Sequence, residues 1–495
     1  MNKLNILLIY PRYPNTFWSF TYALKFVSKK ASFPPLGLLT VASMLPKEWP
    51  KKLVDLNVTA LNESDLEWAD YVFISAMMVQ QKSAREIIKL CRKKGVKTVA
   101  GGPLFSTQYR EFEDVDCFVL NEAEASLPPF LEDLKKGNLR RLYKVKKWPD
   151  LRETPVPSWE LINMRKYASM NIQYSRGCPY NCEFCDIPFL NGHRPRTKDK
   201  EQIIEELDSL YKHGWRGSVF FVDDNFIGNK KKLKKEILPF LIKWMKQKKY
   251  PFSFFTEASI NLYDDKELIQ LMVEAGFNKV FIGIETPNED SLTECNKFQN
   301  KNRDLLSCVK KIQEFGLEVQ GGFIVGFDSD PPSIFERQIR FIQKSGIVTA
   351  MVGLLNAPPG SRLYSRLKRE KRLISNSSGD NTDYSINFVP KMNLKTLLSG
   401  YKSIMDTIYS PQHYYQRVMI FLRQYKPRIF KRKFNLDFSY LGAFIKSIGV
   451  LGIKGRERLH YWKLLSWTLF RRPHLFPLAV KFAIYGYHFR RVMKV

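Results

Sequence analysis

The sequence predicts an α/β protein in three parts: a doubly wound parallel-sheet domain, a partial (β/α)6 barrel and a mainly helical C-terminal region. Three observations support this. Short apolar runs, rich in β-branched and aromatic residues, alternate with stretches of helical periodicity up to about residue 374. Many of those runs are apolar on both faces, which suits parallel strands covered by helices on two sides. Beyond the polar stretch 375–383 the strand signals stop, and the chain becomes helical, aromatic and basic. The expected boundaries are 1–150 for the first domain, 151–170 for a linker, 171–374 for the barrel and 375–495 for the tail.

In the first domain the strand-like runs are 4–10, 53–56, 71–75, 96–100 and 117–120. Residues 83–93 read as a helix, because Ala84, Ile87, Ile88 and Cys91 recur at helical spacing. Sheets of this kind bind ligands beyond the carboxyl ends of their strands. Asp55 and Asn57 stand at the end of the second run, Ser75 ends the third, and Gly101-Gly102 follow the fourth. A second series gives strands at 171–176, 218–222, 252–257, 279–285, 319–325 and 347–353, with helices that include 201–212, 231–246 and 304–315. Six such units fall short of a full barrel, and chemistry in barrels sits at the C-terminal strand ends.

With 495 residues, 44% apolar and 26% charged, the chain can bury several cores and is neither disordered nor fibrous. The charge is unusual: 79 Lys and Arg against 49 Asp and Glu, a net +30. From Tyr401 to Val495 there are 19 basic and 3 acidic residues, so the excess gathers in the tail as a local basic surface. Seven cysteines, three of them crowded together, indicate a reduced, intracellular protein with a metal site rather than a disulfide framework. The first apolar run is closed by Pro11 and is too short for a signal peptide, and no run reaches the ~18 residues of a spanning helix. The expected location is the cytoplasm, at most peripheral on the inner membrane face.

The sharpest signal is Arg176-Gly177-Cys178-Pro179-Tyr180-Asn181-Cys182-Glu183-Phe184-Cys185, a C-x3-C-x2-C spacing on a loop after a strand. Three thiolates so placed can hold three irons of a [4Fe-4S] cluster and leave the fourth open to a substrate's amine and carboxylate. The alternative is a structural zinc site with His193 as fourth ligand, although zinc ligands usually come in two pairs.

On these residues the chain resembles the radical S-adenosylmethionine (SAM) superfamily. The resemblance implies that Cys178, Cys182 and Cys185 ligate the cluster and that Phe184 packs beside the SAM adenine. It implies that Asp223 and Asp224 lie against the methionyl amine, that Glu257 and Glu285 serve the ribose, and that Ile324 of Gly322-Phe323-Ile324-Val325-Gly326 offers its backbone to adenine. Ser329 departs from that last motif, which often carries Glu there, and is assigned no role.

A doubly wound domain ahead of such a barrel is similar to the cobalamin-binding subgroup of the superfamily, whose first domain is Rossmann-like. Asp55, Asn57, Ser75, Gly101, Gly102 and Glu122 fall where that subgroup's cofactor loops lie. The cobalt-ligating histidine of many cobalamin modules is missing, since all six histidines stand at position 193 or later. The resemblance then implies cobalamin held without a protein nitrogen ligand. Radical SAM methylthiolases that modify tRNA carry a second cluster on three first-domain cysteines. Only Cys91 and Cys117 are available here, and they read as packing residues, as do Cys295 and Cys308, so nucleic acid is not expected as a partner.

The tail holds two apolar stretches, 438–453 and 475–489, framed by arginines, as in helices lying in a membrane interface. Phe476, Phe482, Ile484, Tyr485 and Phe489 are the residues expected to insert; a helical subdomain packed on the barrel is the alternative. Tail included, the chain resembles the family that contains the hopanoid methylases. That implies a cobalamin-dependent methyltransferase acting on an unactivated carbon of a lipid-like, hopanoid or isoprenoid-type substrate. It further implies a one-electron donor such as flavodoxin or ferredoxin. The other readings are a cobalamin-independent radical enzyme forming carbon–carbon bonds or rings in a lipid, and a non-enzymatic cobalamin or redox sensor.

Overall fold

A computed structural model describes residues 3–380, 382–428, 430 and 438–494; the side chains of 438–440, and Asn381 of the polar stretch, lie outside it. The first sheet is entirely parallel, with β1 (Ile6–Tyr10), β2 (Lys51–Asp55), β3 (Tyr71–Ser75), β4 (Lys97–Gly101), β5 (Cys117–Leu120) and β6 (Leu142–Lys144) in the order β2-β1-β3-β4-β5-β6. The order reverses between β1 and β3, which opens a crevice at their carboxyl ends. Separate apolar clusters cover the two faces, one around Leu7, Ile74 and Phe105 and the other around Ile6, Leu8 and Phe73. In this sheet β6 has no counterpart in the sequence reading. It is a short edge strand between charged residues, too brief to show a pattern.

The second sheet runs β7 (Ser169–Ile172), β10 (Ser218–Phe221), β11 (Ser253–Ala258), β12 (Phe277–Glu285), β13 (Glu318–Val325) and β14 (Ala350–Leu354), all parallel and in sequence order. The expected strand at 171–176 divides in two. Residues up to Ile172 belong to the barrel, whereas β8 (Ser175–Arg176) pairs antiparallel with β9 (Arg196–Thr197) and brackets the cysteine loop.

The open flank of the barrel is closed from both ends of the chain. Tyr401 and Tyr409, on the helix Leu394–Tyr409, donate to the carbonyls of Val352 (3.0 Å) and Ala350 (2.6 Å), so the β14 edge is covered rather than exposed. The segment after β1 leaves its own sheet: Phe17, Ala23, Phe26 and Ala31 share the barrel's core. Phe17 stacks on Phe489 with ring centroids 4.3 Å apart, and His488 Nε2 lies 3.0 Å from the Phe17 carbonyl oxygen.

This overturns the expectation for the last helix, Phe476–Met493. Phe482 and Phe489 are 0% exposed, Ile484 is buried, and Phe476 and Tyr485 are half-buried against the same core. An apolar segment can meet a core as readily as a bilayer, and here it is the core. Among the described residues no helix is long and apolar enough to cross a membrane.

Candidate active site

The cysteine loop is held at both ends by carboxylates from the neighbouring strand. Asp223 accepts from the Tyr174 amide (3.2 Å), the Ser175 hydroxyl (2.6 Å) and the Ser175 amide. Asp224 accepts from the Gly177 amide (2.7 Å) and from Asn191 Nδ2 (3.0 Å). Gly177 has φ +95°, and a Cβ there would lie 2.8 Å from the Arg194 carbonyl, so glycine starts the loop for a steric reason. Both aspartates, expected at the methionyl amine, thus have hydrogen bonds that shape the loop. Burial pushes Asp223 up to about 7 and also raises Asp224.

Cys182 is buried, while Cys178 and Cys185 are partly exposed. Burial raises the thiols of Cys178 and Cys185 above their ordinary value, so their thiolates need a metal to stabilise them. Among the described residues no three His, Cys, Asp or Glu side chains gather closely enough for one ion. Three cysteines on one loop suit a multi-iron cluster better than the zinc alternative with His193, because zinc ligands usually come in two pairs. Glu183 anchors the far side of the loop: its amide donates to the Cys295 carbonyl (2.9 Å), and its carboxylate pairs with Arg366 (2.7 Å).

The remaining expected SAM residues converge around this loop. Phe184 and Ile324 pack in one apolar cluster with Phe327 and Leu355. The Gln338 side chain ties the carbonyls of Ile324 (2.8 Å) and Glu285 (3.2 Å) together. Beside Ser329, Asp330 accepts from the amides of Gly326 (2.9 Å) and Phe327 (3.1 Å) and so fixes the turn after β13. Glu285 sits at φ +63° beside a register shift of β12 and pairs with Lys297 at 2.8 Å. Lys297 also lies 5.9 Å from the Phe184 ring, and Gln299 Nε2 reaches within 3.8 Å of Cys182 Sγ. Glu257 differs from the other acids. Its carboxylate makes no hydrogen bond among the described residues, and burial, then Asp224 and Asp223, push it up to about 7. A half-buried acceptor without a partner at the barrel mouth fits a ligand with hydroxyl donors.

Below the mouth, burial alternates along the strands. In β11 and β12, Phe255, Glu257, Lys279 and Phe281 are partly exposed, while their neighbours Thr256, Val280 and Ile282 are buried. The partly exposed set faces an aromatic interior. Phe220 stacks on Phe255 at 4.8 Å, Phe33 lies 5.3 Å from Phe220, and Trp18 lies 5.5 Å from Phe281. Trp18 and Phe33 come from the segment that leaves the first domain, a contribution invisible in the strand pattern. Lys279 stands 4.1 Å over Phe255, its pKa lowered by burial to about 8.

In the first domain most expected crevice residues have partners within the protein. Asp55 is buried and accepts from the Asn57 amide (2.9 Å), Asn57 Nδ2 (2.7 Å) and the Tyr167 hydroxyl (3.0 Å). Asn57 Oδ1 in turn accepts from the Tyr13 amide at 3.0 Å. A Cβ on Gly101 would lie 2.7 Å from the Val119 carbonyl, and one on Gly102, at φ +88°, would lie 2.6 Å from Ser75 Oγ. The glycine pair thus answers the protein's own packing. Ser75 is the polar side chain of the expected set without a hydrogen bond among the described residues, and it stands half-buried at the carboxyl end of β3.

Glu122 bridges the two domains: it pairs with Arg176 (2.8 Å) and Arg196 (2.5 Å), and Glu124 joins it on Arg176 (2.7 Å). Arg176 opens the cysteine motif, but nothing in the motif marks its partners. No local signal marks an ion pair between residues more than fifty positions apart.

This geometry, a crevice domain clamped onto a partial barrel whose mouth carries a three-cysteine loop, defines a radical SAM enzyme with a cobalamin-type first domain. Residues 27–131 match the B12 binding domain, residues 172–342 the Radical SAM superfamily, and residues 361–495 a domain of unknown function, DUF4070. The chain is 40% identical to an uncharacterized methyltransferase of Synechocystis sp., over 99% of this chain and 92% of that one. It is 34% identical to the hopanoid C-2 methylase of Rhodopseudomonas palustris, over 94% of this chain and 89% of that one. Its fold resembles the cobalamin-dependent SAM radical enzyme OxsB, at TM-score 0.64 and 15% identity, covering 100% of this chain and 79% of that one. It also resembles the radical SAM methyltransferase TsrM of Kitasatospora setae, at TM-score 0.64 and 14% identity, covering 100% and 99%. The chain belongs to the B12-binding radical SAM methyltransferase family. Its cofactors are a [4Fe-4S] cluster, SAM and cobalamin, and its chemistry requires an electron donor.

Proposed function

We propose that this enzyme methylates an unactivated carbon of a lipid-like substrate of the hopanoid or isoprenoid type. The observation that carries the reading is the aromatic barrel interior formed by Trp18, Phe33, Phe220, Phe255 and Phe281, a surface matched to a bulky apolar body. The likeness to the hopanoid C-2 methylase extends through the tail and supports it.

When bound, the cluster and SAM supply one-electron chemistry able to break an unactivated C–H bond, and cobalamin supplies the methyl group. The chain's own residues bind and orient. Cys178, Cys182 and Cys185 hold the cluster, while the aspartate pair below fixes the loop that presents them. Phe184 and Ile324 wall the adenine, and Glu257 accepts from the ribose hydroxyls. Glu285, neutralised by Lys297, lines the same pocket. Ser75 and the adjoining glycine turn face cobalamin, which is held without a histidine. The aromatic interior excludes water from the reacting carbon.

The test is anaerobic incubation of the cofactor-loaded enzyme with SAM, a reductant and a lipid extract, followed by mass spectrometry of lipids and nucleosides. A lipid that gains one methylene mass is the expected result. SAM cleavage with methylated nucleosides and unchanged lipids would overturn the substrate class.

A further inference from the structure

The last helix is buried, but the two helical segments before it present an apolar face that the chemistry above does not use. Phe438–Ser447, continued by the π-turn Ile448–Ile453, lies against Arg458–Arg471. Trp462 Nε1 donates to the Gly452 carbonyl at 3.0 Å, and the Ser447 and Tyr461 hydroxyls are 2.8 Å apart. The inner faces bury Ala443, Leu451, Tyr461, Leu464 and Leu465. On the outside, the first segment exposes Leu441, Ile445 and Ile453. The second exposes Leu459, Trp462, Leu469 and Phe470, with Leu459 at 78% and Phe470 at 83%. Exposed large apolar side chains at this density mark a docking surface.

Charge says what docks there. Lys454, Arg456, Arg458, Lys463 and Arg471 are exposed on the same two segments and the turn between them. From Phe438 to the last residue the sequence holds one acid, Glu457, and it is buried in an ion pair with Arg490 at 2.5 Å. These two segments therefore show apolar side chains among cations, with no exposed acid of their own among the described residues. A second copy of the chain would bring cation against cation. A nucleic acid could stack on Trp462 and Phe470, but Leu441, Ile445, Ile453, Leu459 and Leu469 around them offer it aliphatic surface in place of a basic groove. An interface of acyl chains beneath anionic headgroups satisfies both features together.

We propose that this face docks the enzyme onto an anionic lipid bilayer surface. Leu459, Leu469 and Phe470 enter the acyl boundary, and the surrounding cations lie at the headgroups. The docking needs no turnover, so it stands or falls separately from the substrate reading, which it complements by bringing the enzyme to where apolar substrates reside.

The experiment is flotation of the full-length protein with vesicles of phosphatidylcholine alone and of an equal mixture of phosphatidylcholine and phosphatidylglycerol, at low and high salt. Binding at least about tenfold stronger to the anionic vesicles is expected, weakened by salt, because each well-placed cation contributes about fivefold. Leu459→Ser with Phe470→Ser should lower binding at least about tenfold, and Lys454→Glu with Lys463→Glu should remove the preference for anionic vesicles. Unchanged iron and cobalamin content shows that these exposed substitutions leave the fold intact. Wild-type protein that ignores both vesicles, or an apolar variant that binds as wild type does, overturns the proposal. So does self-association, or RNA binding, that the apolar substitutions abolish. Vesicle binding without lipid methylation would leave the docking intact and remove only the substrate reading.

Discussion

The contact between the first domain and the cysteine loop depends on a quartet, the buried Glu122 and Glu124 against the half-buried Arg176 and Arg196. Glu124→Gln keeps the shape of the side chain and removes its charge. Arg176 holds the Glu124 carboxyl down at about 2, against an ordinary 4.5, despite a burial that opposes this. A displacement of that size corresponds to about 3 kcal/mol in favour of the charged form, and breaking a buried pair on one side typically costs about 3–5 kcal/mol. The contribution is complete above pH 4.5 and is lost as pH falls through that value toward 2, because the folded carboxyl is the harder one to protonate. Urea denaturation of wild type, Glu124→Gln, Arg176→Gln and the double variant at neutral pH should give a coupling of at least ~2 kcal/mol. The difference between wild type and Glu124→Gln should shrink on acidification. A coupling within ~0.5 kcal/mol, or a difference indifferent to pH, would show that the quartet contributes no more than a surface pair and that the clamp reasoning is wrong.

Three further outcomes are expected. Alanine at Cys178, Cys182 or Cys185 should abolish iron–sulfur absorbance and SAM cleavage, and full cleavage by any single variant would remove that residue from the cluster. Glu257 and Asp223 are pushed up to about 7 by burial, so the ligand-free protein should lose stability as pH rises from about 4.5 through 7. Thermal melts of wild type and Glu257→Gln across that range should show a shallower slope in the variant, together with weaker SAM binding by titration. Gly102→Ala places a Cβ 2.6 Å from Ser75 Oγ at φ +88°. It should destabilise by about 1–3 kcal/mol or more, and adding Ser75→Ala should recover the steric part; identical melts for the two variants would show that only the backbone angle matters.

The strands of both sheets were legible because they hold short runs rich in apolar, β-branched and aromatic residues, continuous in β1, β3 and β5, and the cysteine loop because its spacing is local. Glu257 was legible as a strand end, but its lack of a partner was not. What the sequence could not show is long-range. Asp55 and Glu122 lie at strand ends, as ligand residues would, yet one reaches Tyr167 and the other two arginines of the barrel. The last helix has an apolar character that a bilayer and a core reward alike, and only the docking of Phe17, Tyr409 and Tyr414 around it decides the matter. The exposed face between Arg458 and Arg471 mixes leucine and aromatic residues with Lys463 at positions that look like an ordinary solvated helix.

The hydrogen bond between Phe17 and His488 joins residues 471 positions apart. Burial lowers the imidazole pKa to about 4, so near neutral pH this joint is made by an uncharged ring. During synthesis the strands of the first domain can pair soon after they emerge, but Phe17 and Phe20 lack their partners Phe489 and His488 until Phe476–Met493 arrives. The cobalamin domain is thus among the first parts made and among the last completed. A nascent or C-terminally clipped chain would keep an aromatic strap loose beside the barrel flank, where it is open to aggregation and to proteases. Damage at one end of the polypeptide is then felt at the other, since the last helix helps to seat the segment that carries Trp18 and Phe33 into the barrel.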